Sequence, residues 1–99
     1  MDNNRLQGFG KSEEVINLEP LKEKWKSFNF DVSIATVGND FESIDHAFNL
    51  LDKNSDKPKI IIARTVKGSG VSYMENKMEW HYLPMSDEQY RTAINEIPV

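Results

Sequence analysis

Hydrophobic and polar positions follow two different periods along this 99-residue chain, and the switches between them mark its elements. Leu18, Leu21, Trp25 and Phe28 fall at i, i+3, i+7 and i+10, with Pro20 near the start, where a missing N–H costs a helix nothing. That spacing predicts a helix over about 19–28. Phe30, Val32 and Ile34 then alternate with Asp31 and Ser33, which fits a strand over about 30–37 with one face more polar than the other. Gly38-Asn39-Asp40 breaks that strand, and Asn39 with Glu42 has the spacing of a capping box. Phe41, Ile44, Phe48 and Leu51 form the apolar stripe of a helix over about 40–52. A polar turn ends at Pro58, which bars further helix. Ile60, Ile61, Ile62 and Ala63 follow in succession, and such a run predicts a strand over about 59–66 covered on both faces, as in a parallel sheet. Ser86 and Gln89 make a second capping box ahead of a helix over about 87–96, with Tyr90, Ala93, Ile94 and Ile97 on one face.

Strand, helix and strand in this order form one right-handed βαβ unit, so the class is α/β, a partial doubly wound parallel sheet in one domain over 1–99. Residues 7–17 hold two glycines and no sustained period, and read as a surface loop. Met1 to Leu6 reads as a strand running straight into a turn, with no sequence before it to build that strand's sheet. Two or three parallel strands leave a sheet edge unpaired. The expectation is therefore the C-terminal portion of a larger domain.

Composition narrows the function classes. Sixteen acidic and twelve basic residues give a net charge of −4 with no basic stripe, which removes the footprint of a nucleic-acid binder. No apolar run approaches the roughly 20 residues that span a bilayer, and Met1-Asp2-Asn3-Asn4-Arg5 lacks a signal peptide's regions. With no cysteine, disulfides and Cys-based zinc sites are excluded, and a cytoplasmic location is the default expectation. Asp52, Asn54 and Asp56 imitate the start of a calcium loop. Its sixth and twelfth positions, however, are Lys57 and Ala63, so calcium is rejected in favour of a solvated turn.

Two stretches carry candidate chemistry. Thr65-Val66-Lys67-Gly68-Ser69-Gly70 follows the most hydrophobic strand, where ligands bind in open α/β sheets. Glycines there let backbone N–H groups approach an anion and Lys67 adds a point charge, although a plain turn fits the same letters. Trp80-His81-Tyr82 sets an imidazole between two aromatics, compatible with packing as well as with catalysis, whereas His46 reads as a surface residue of its helix.

Taken in order, Asp2-x-Asn4-x-Leu6-Gln7, Leu18-Glu19-Pro20-Leu21-x-x-x-Trp25, Gly38-Asn39-Asp40, the run from Arg64 through Gly70 to Glu75, and Trp80-His81 resemble transketolase. The resemblance is to its thiamine-diphosphate-binding N-terminal section, which is a separate polypeptide in the split enzymes. It implies a cofactor diphosphate carried on a divalent metal, usually Mg2+. Asn4 would give the metal a side-chain oxygen and Leu6 its backbone carbonyl. His81 matches a histidine near the diphosphate and the substrate hydroxyls, hence a catalytic and cofactor-binding residue. Lys67, with Gly68, matches a diphosphate-approaching lysine of the related deoxyxylulose-phosphate synthases.

The chain departs from the family in placing Arg5 where Gly is common and Phe9 where Asp is usual. The Gly-Asp-Gly half of the metal motif is absent, as is the glutamate that activates the cofactor, which another domain supplies. The implied reaction moves a two-carbon ketol unit between sugar phosphates. Its partners would be the upstream half of the domain and a pyrimidine-binding subunit, in a homo- or hetero-oligomer, and this chain alone would be inactive. The alternative is a non-catalytic α/β remnant serving as an interaction or assembly module.

Overall fold

A computed structural model describes residues 1–97. Residues Leu6–Gln7 (β1) and Gly10–Lys11 (β2) form an antiparallel hairpin that leads into a short helix, Ser12–Val15 (α1). Then come Leu21–Ser27 (α2), Asp31–Ala35 (β3), Phe41–Asn49 (α3) and Lys59–Ala63 (β4). A 3-10 turn, Met78–His81, and the helix Asp87–Glu96 (α4) complete the described fold. The surface loop expected over 7–17 is thus corrected to a hairpin and a helical turn. Pieces of two to four residues are too short to leave a periodic signal.

β3 and β4 pair in parallel, from Asp31 opposite Lys59 to Ala35 opposite Ala63, as the βαβ reading requires. On one face the Ser33 hydroxyl donates to the Ala47 carbonyl of α3 at 2.7 Å, and Ser33, Ala35 and Ala47 are all buried. On the other face Ile34 and Ile62 share a cleft with Leu21 of α2. Neighbouring strand residues point to opposite faces, so the two helices sandwich the sheet. The more polar face of β3 therefore holds the tightest packing, because small side chains let the α3 backbone approach.

That close approach also rotates α3 so that only half of the expected stripe turns inward, with Ile44 half-buried and Leu51 buried. Its buried positions are Ala47 and, just past its end, Leu51, whereas Phe41 is 89% and Phe48 59% exposed. The core is small. Leu21, Ala35, Ala47, Leu51, Ile62 and Ala93 are its buried hydrophobic residues, and among the described residues no large side chain is fully buried. α4 starts at the Ser86–Gln89 capping box as expected, but Tyr90, Ile94 and Ile97 on its apolar face remain about half exposed.

The cap of α3 is a second correction. Asp40, not Asn39, accepts the Ser43 N–H at 2.8 Å. Asn39 reaches across the sheet end instead, where its Oδ1 accepts the Val66 N–H at 2.6 Å. Gly38 donates its N–H to the Arg64 carbonyl at 2.7 Å. Both strands are shorter than expected: the ladder ends where the Arg64 N–H donates to the Ala35 carbonyl at 2.9 Å, and beyond it the Gly38-Asn39 turn takes the Arg64 carbonyl and the Val66 N–H.

The start of the chain lies along the free edge of β4. Asn3 N–H donates to the Ala63 carbonyl at 2.8 Å and Ala63 N–H to the Met1 carbonyl at 2.9 Å, making a parallel bridge at Asp2. The Thr65 hydroxyl donates to the Asp2 carboxylate. Residues 1–3 thus form a third line of the sheet, which delivers Asn4 to the carboxyl end of β4. Where that line stops, an apolar groove of about 630 Å3 runs past Met1, Phe48, Leu51 and Ile60.

Candidate functional site

The carboxyl end of β4 supplies one wall of a small cleft, and the β1–β2 hairpin and the 3-10 turn supply the others. Asn4, Leu6, Gln7, Lys67, Met78 and His81 line it, around a volume of about 100 Å3. Three segments singled out from sequence thereby meet: the Asn4 turn, the Lys67 loop and the Trp80-His81 pair. Gly68 adjoins Lys67 outside the lining.

Asn4 and Leu6 are locked to each other. The Leu6 N–H donates to the Asn4 Oδ1 at 2.9 Å, an Asx turn that fixes the amide and leaves the oxygen a second lone pair. Ser12 N–H donates to the Arg5 carbonyl at 2.8 Å. In an antiparallel pair bonded and non-bonded positions alternate, so the Leu6 carbonyl turns away from β2. An amide oxygen and a carbonyl oxygen suit a hard cation. Among the described residues no group of three or more His, Asp or Glu gathers as a metal site, so a cation here would begin on these two neutral oxygens.

Lys67 stands in a loop whose amides from Ser69 to Ser72 are already committed. Ser69 and Val71 N–H groups donate to the Val66 and Gly68 carbonyls at 3.3 and 3.1 Å. Gly70 N–H donates to Glu75 at 3.1 Å and Ser72 N–H to Glu96 at 2.6 Å. The cradle of free amides expected around the glycines is absent across 69–72, because the chain's own carboxylates and carbonyls fill it. The Lys67 ammonium remains as a donor of this loop, with the Lys67 and Gly68 amides, which have no hydrogen-bond acceptor among the described residues. Gly68 has φ +74, and a Cβ there would lie 2.6 Å from the Met74 carbonyl oxygen, so backbone packing demands the glycine.

His81 is exposed and held from below. The Trp80 indole donates to the Tyr73 carbonyl at 2.9 Å, and the two rings meet edge to face at 5.1 Å. The Tyr73 hydroxyl donates to the Gln89 carbonyl of α4 at 2.9 Å. Trp80 is thus the anchor and His81 the presented residue, with Gly8 so close that a Cβ would sit 3.7 Å from the imidazole Cδ2. His46 lies exposed on α3, away from the cleft lining, as expected of a surface histidine.

Glu96 ties the end of α4 to the same loop. The Ser72 amide, and after it the Ser72 hydroxyl, hold its carboxyl below the ordinary carboxylate value. A lowered folded pKa contributes stability that is complete above the unfolded value of about 4.5 and lost as pH falls through the folded one. The Ser72 amide should therefore keep its protection and chemical shift from neutrality to about pH 5 and lose them in more acid solution. Nuclear magnetic resonance titration checks this, and Glu96→Gln should abolish the acid-dependent step.

Sequence reasoning used Gln7 only as a letter of a motif. Its side-chain Nε2 is buried without a hydrogen-bond partner among the described residues. Asn39 and Glu96 were likewise missed as supports of the Lys67 loop. Long-range contacts of this kind leave no local spacing to read.

A family model described as transketolase, thiamine diphosphate binding domain, matches residues 1–97. The chain is 40% identical over 97 residues to one of the subunits of an apulose-4-phosphate transketolase from Phocaeicola vulgatus, covering 98% of this chain and 34% of that protein. It is 32% identical to a protein of the same name from Actinobacillus succinogenes, over 97% of this chain and 34% of the relative. It is 31% identical to a 6-deoxy-6-sulfo-D-fructose transketolase subunit from a Clostridium species, with the same two coverages. The chain spans about a third of the length of these relatives. No helix among the described residues is long and apolar enough to cross a membrane.

Proposed function

Because the chain belongs to the thiamine diphosphate binding domain family of transketolases, we propose that it forms one wall of the diphosphate site of a split transketolase acting on sugar phosphates. The observation that carries this reading is the single cleft lined by Asn4, Leu6, Lys67 and His81, which gathers two sources of neutral oxygen and two cationic or donor side chains. That is the complement of a metal-bound diphosphate: hard oxygens for a Mg2+ ion and donors for the phosphoryl oxygens.

In this reading Asn4 Oδ1 and the Leu6 carbonyl take two positions on the metal. Lys67 neutralises the diphosphate, and Gly68 turns the chain so that Lys67 is delivered to the cleft. His81 holds a sugar hydroxyl and the near end of the diphosphate. The bound cofactor supplies the stabilised carbanion chemistry, and the protein supplies position and electrostatics. The named relatives are subunits, and this chain would likewise act with partners that provide the remaining metal ligand and the group activating the cofactor. A cytoplasmic setting fits an enzyme of phosphorylated sugars and a chain without cysteine.

The test is reconstitution. The 99-residue chain alone should show no saturable binding of thiamine diphosphate at micromolar concentrations with magnesium, since two neutral oxygens leave most of an octahedral shell unfilled. Co-expression with complementary transketolase polypeptides should give a complex that binds the cofactor in a magnesium-dependent manner. Micromolar binding to the lone chain would contradict the shared-site reading. A stable complex that binds no cofactor would favour a non-catalytic assembly module instead.

A further inference from the structure

We propose that Gln7 is a further binding residue of this cleft, donating through its side-chain Nε2 to a phosphoryl oxygen of the diphosphate. The inference rests on the diphosphate reading above and deepens it. Gln7 lines the same small cleft as Asn4, Lys67 and His81, and its Nε2 is buried with no partner among the described residues. Buried polar side-chain atoms are paired in the large majority of cases, and an orphan in a cleft marks the place of a missing partner.

The backbone leaves the residue little freedom. Gln7 pairs with Gly10 in the hairpin, next to Gly8, over which the His81 imidazole sits. Rotating the amide by half a turn would only exchange a buried donor without an acceptor for a buried acceptor without a donor. With a phosphoryl group bound beside Lys67 and His81, only the donor orientation gives the Gln7 amide a partner on that oxyanion. At about 100 Å3 the cleft is smaller than a pocket for a whole ligand and fits one phosphoryl end.

The experiment uses the reconstituted complex, with thiamine diphosphate and, separately, magnesium pyrophosphate as probes, followed by calorimetry. Gln7→Leu keeps the bulk and removes the donor. It should weaken both probes by about tenfold, the value of one hydrogen bond to a charged group, and should leave the melting temperature of the ligand-free complex unchanged or higher. Gln7→Glu should weaken both probes further, because it sets a carboxylate against the oxyanion. Equal binding by wild type and Gln7→Leu would overturn the role of Gln7 alone. A loss of binding matched by a fall in melting temperature would make the residue structural. A wild-type complex that binds neither probe would overturn the diphosphate reading and this inference together.

Discussion

Asn4→Ala in the reconstituted complex should raise the magnesium and cofactor concentrations needed for half-saturation by at least tenfold. Loss even of an outer-shell partner of a metal ligand costs roughly 10–100-fold in affinity. The substitution also removes the acceptor that the Leu6 N–H uses at 2.9 Å, so part of the effect would come from a loosened turn. Asn4→Asp separates the two: it restores an oxygen for the turn and the metal, and should recover most of the affinity. His81→Ala should behave differently, lowering turnover by roughly 10–100-fold with cofactor affinity less affected. A hydrogen bond to a reacting hydroxyl is worth most in the transition state. Lys67→Ala should weaken diphosphate binding at low salt and matter less at high salt, because a partly exposed charge is screened over about 8–10 Å at physiological ionic strength. If all three variants lost activity only in proportion to lost folding, measured by thermal melts, the residues would be structural and the assignments wrong.

Much of this fold is legible from local pattern because each element carries its own signal. The isoleucine run marks β4, the Ser86–Gln89 box starts α4, and the parallel pairing follows from strand, helix and strand. The errors arise where a distant partner overrides a local preference. Asn39 has the spacing of a cap, yet the Val66 amide claims it, and Asp40 beside it takes the cap. Phe41 and Phe48 have a helical spacing, yet the face buried on β3 is set by Ala47, which lets the Ser33 hydroxyl reach the helix backbone. The candidate site shows the same division. Asn4, Lys67 and His81 could be singled out by motif order, whereas the committed amides of the glycine loop could not. Those depend on Glu75 and on Glu96 from α4, whose approach no spacing within 65–70 encodes.

Gly38→Ala should be among the most damaging single substitutions outside the cleft, by about 2–4 kcal/mol. A Cβ on Gly38 would stand 2.8 Å from both the carbonyl carbon and oxygen of Arg64, and 2.7 Å from the Thr65 Cγ2. The neighbour is backbone held in place by β4, so relief requires moving the strand end and lengthening the Gly38–Arg64 hydrogen bond of 2.7 Å. Overpacking costs roughly 1–3 kcal/mol and a weakened hydrogen bond about 1 more. Gly68→Ala should be as costly or worse, because its Cβ would meet Met74 backbone at 2.6 Å and its φ of +74 adds strain of roughly 1–2 kcal/mol. Gly70 provides the control. Its φ is +93, but the space around it is open within 4 Å, so alanine there should show only the backbone strain. Chemical denaturation of the three variants in the reconstituted complex gives the ranking, with Gly38 and Gly68 above Gly70. The Gly38 variant should also loosen the Lys67 loop, since Asn39 beside it holds Val66, and should weaken pyrophosphate binding without touching the cleft. If Gly70→Ala proved as destabilising as Gly38→Ala, the close contact between the two strand ends would not be what holds this turn.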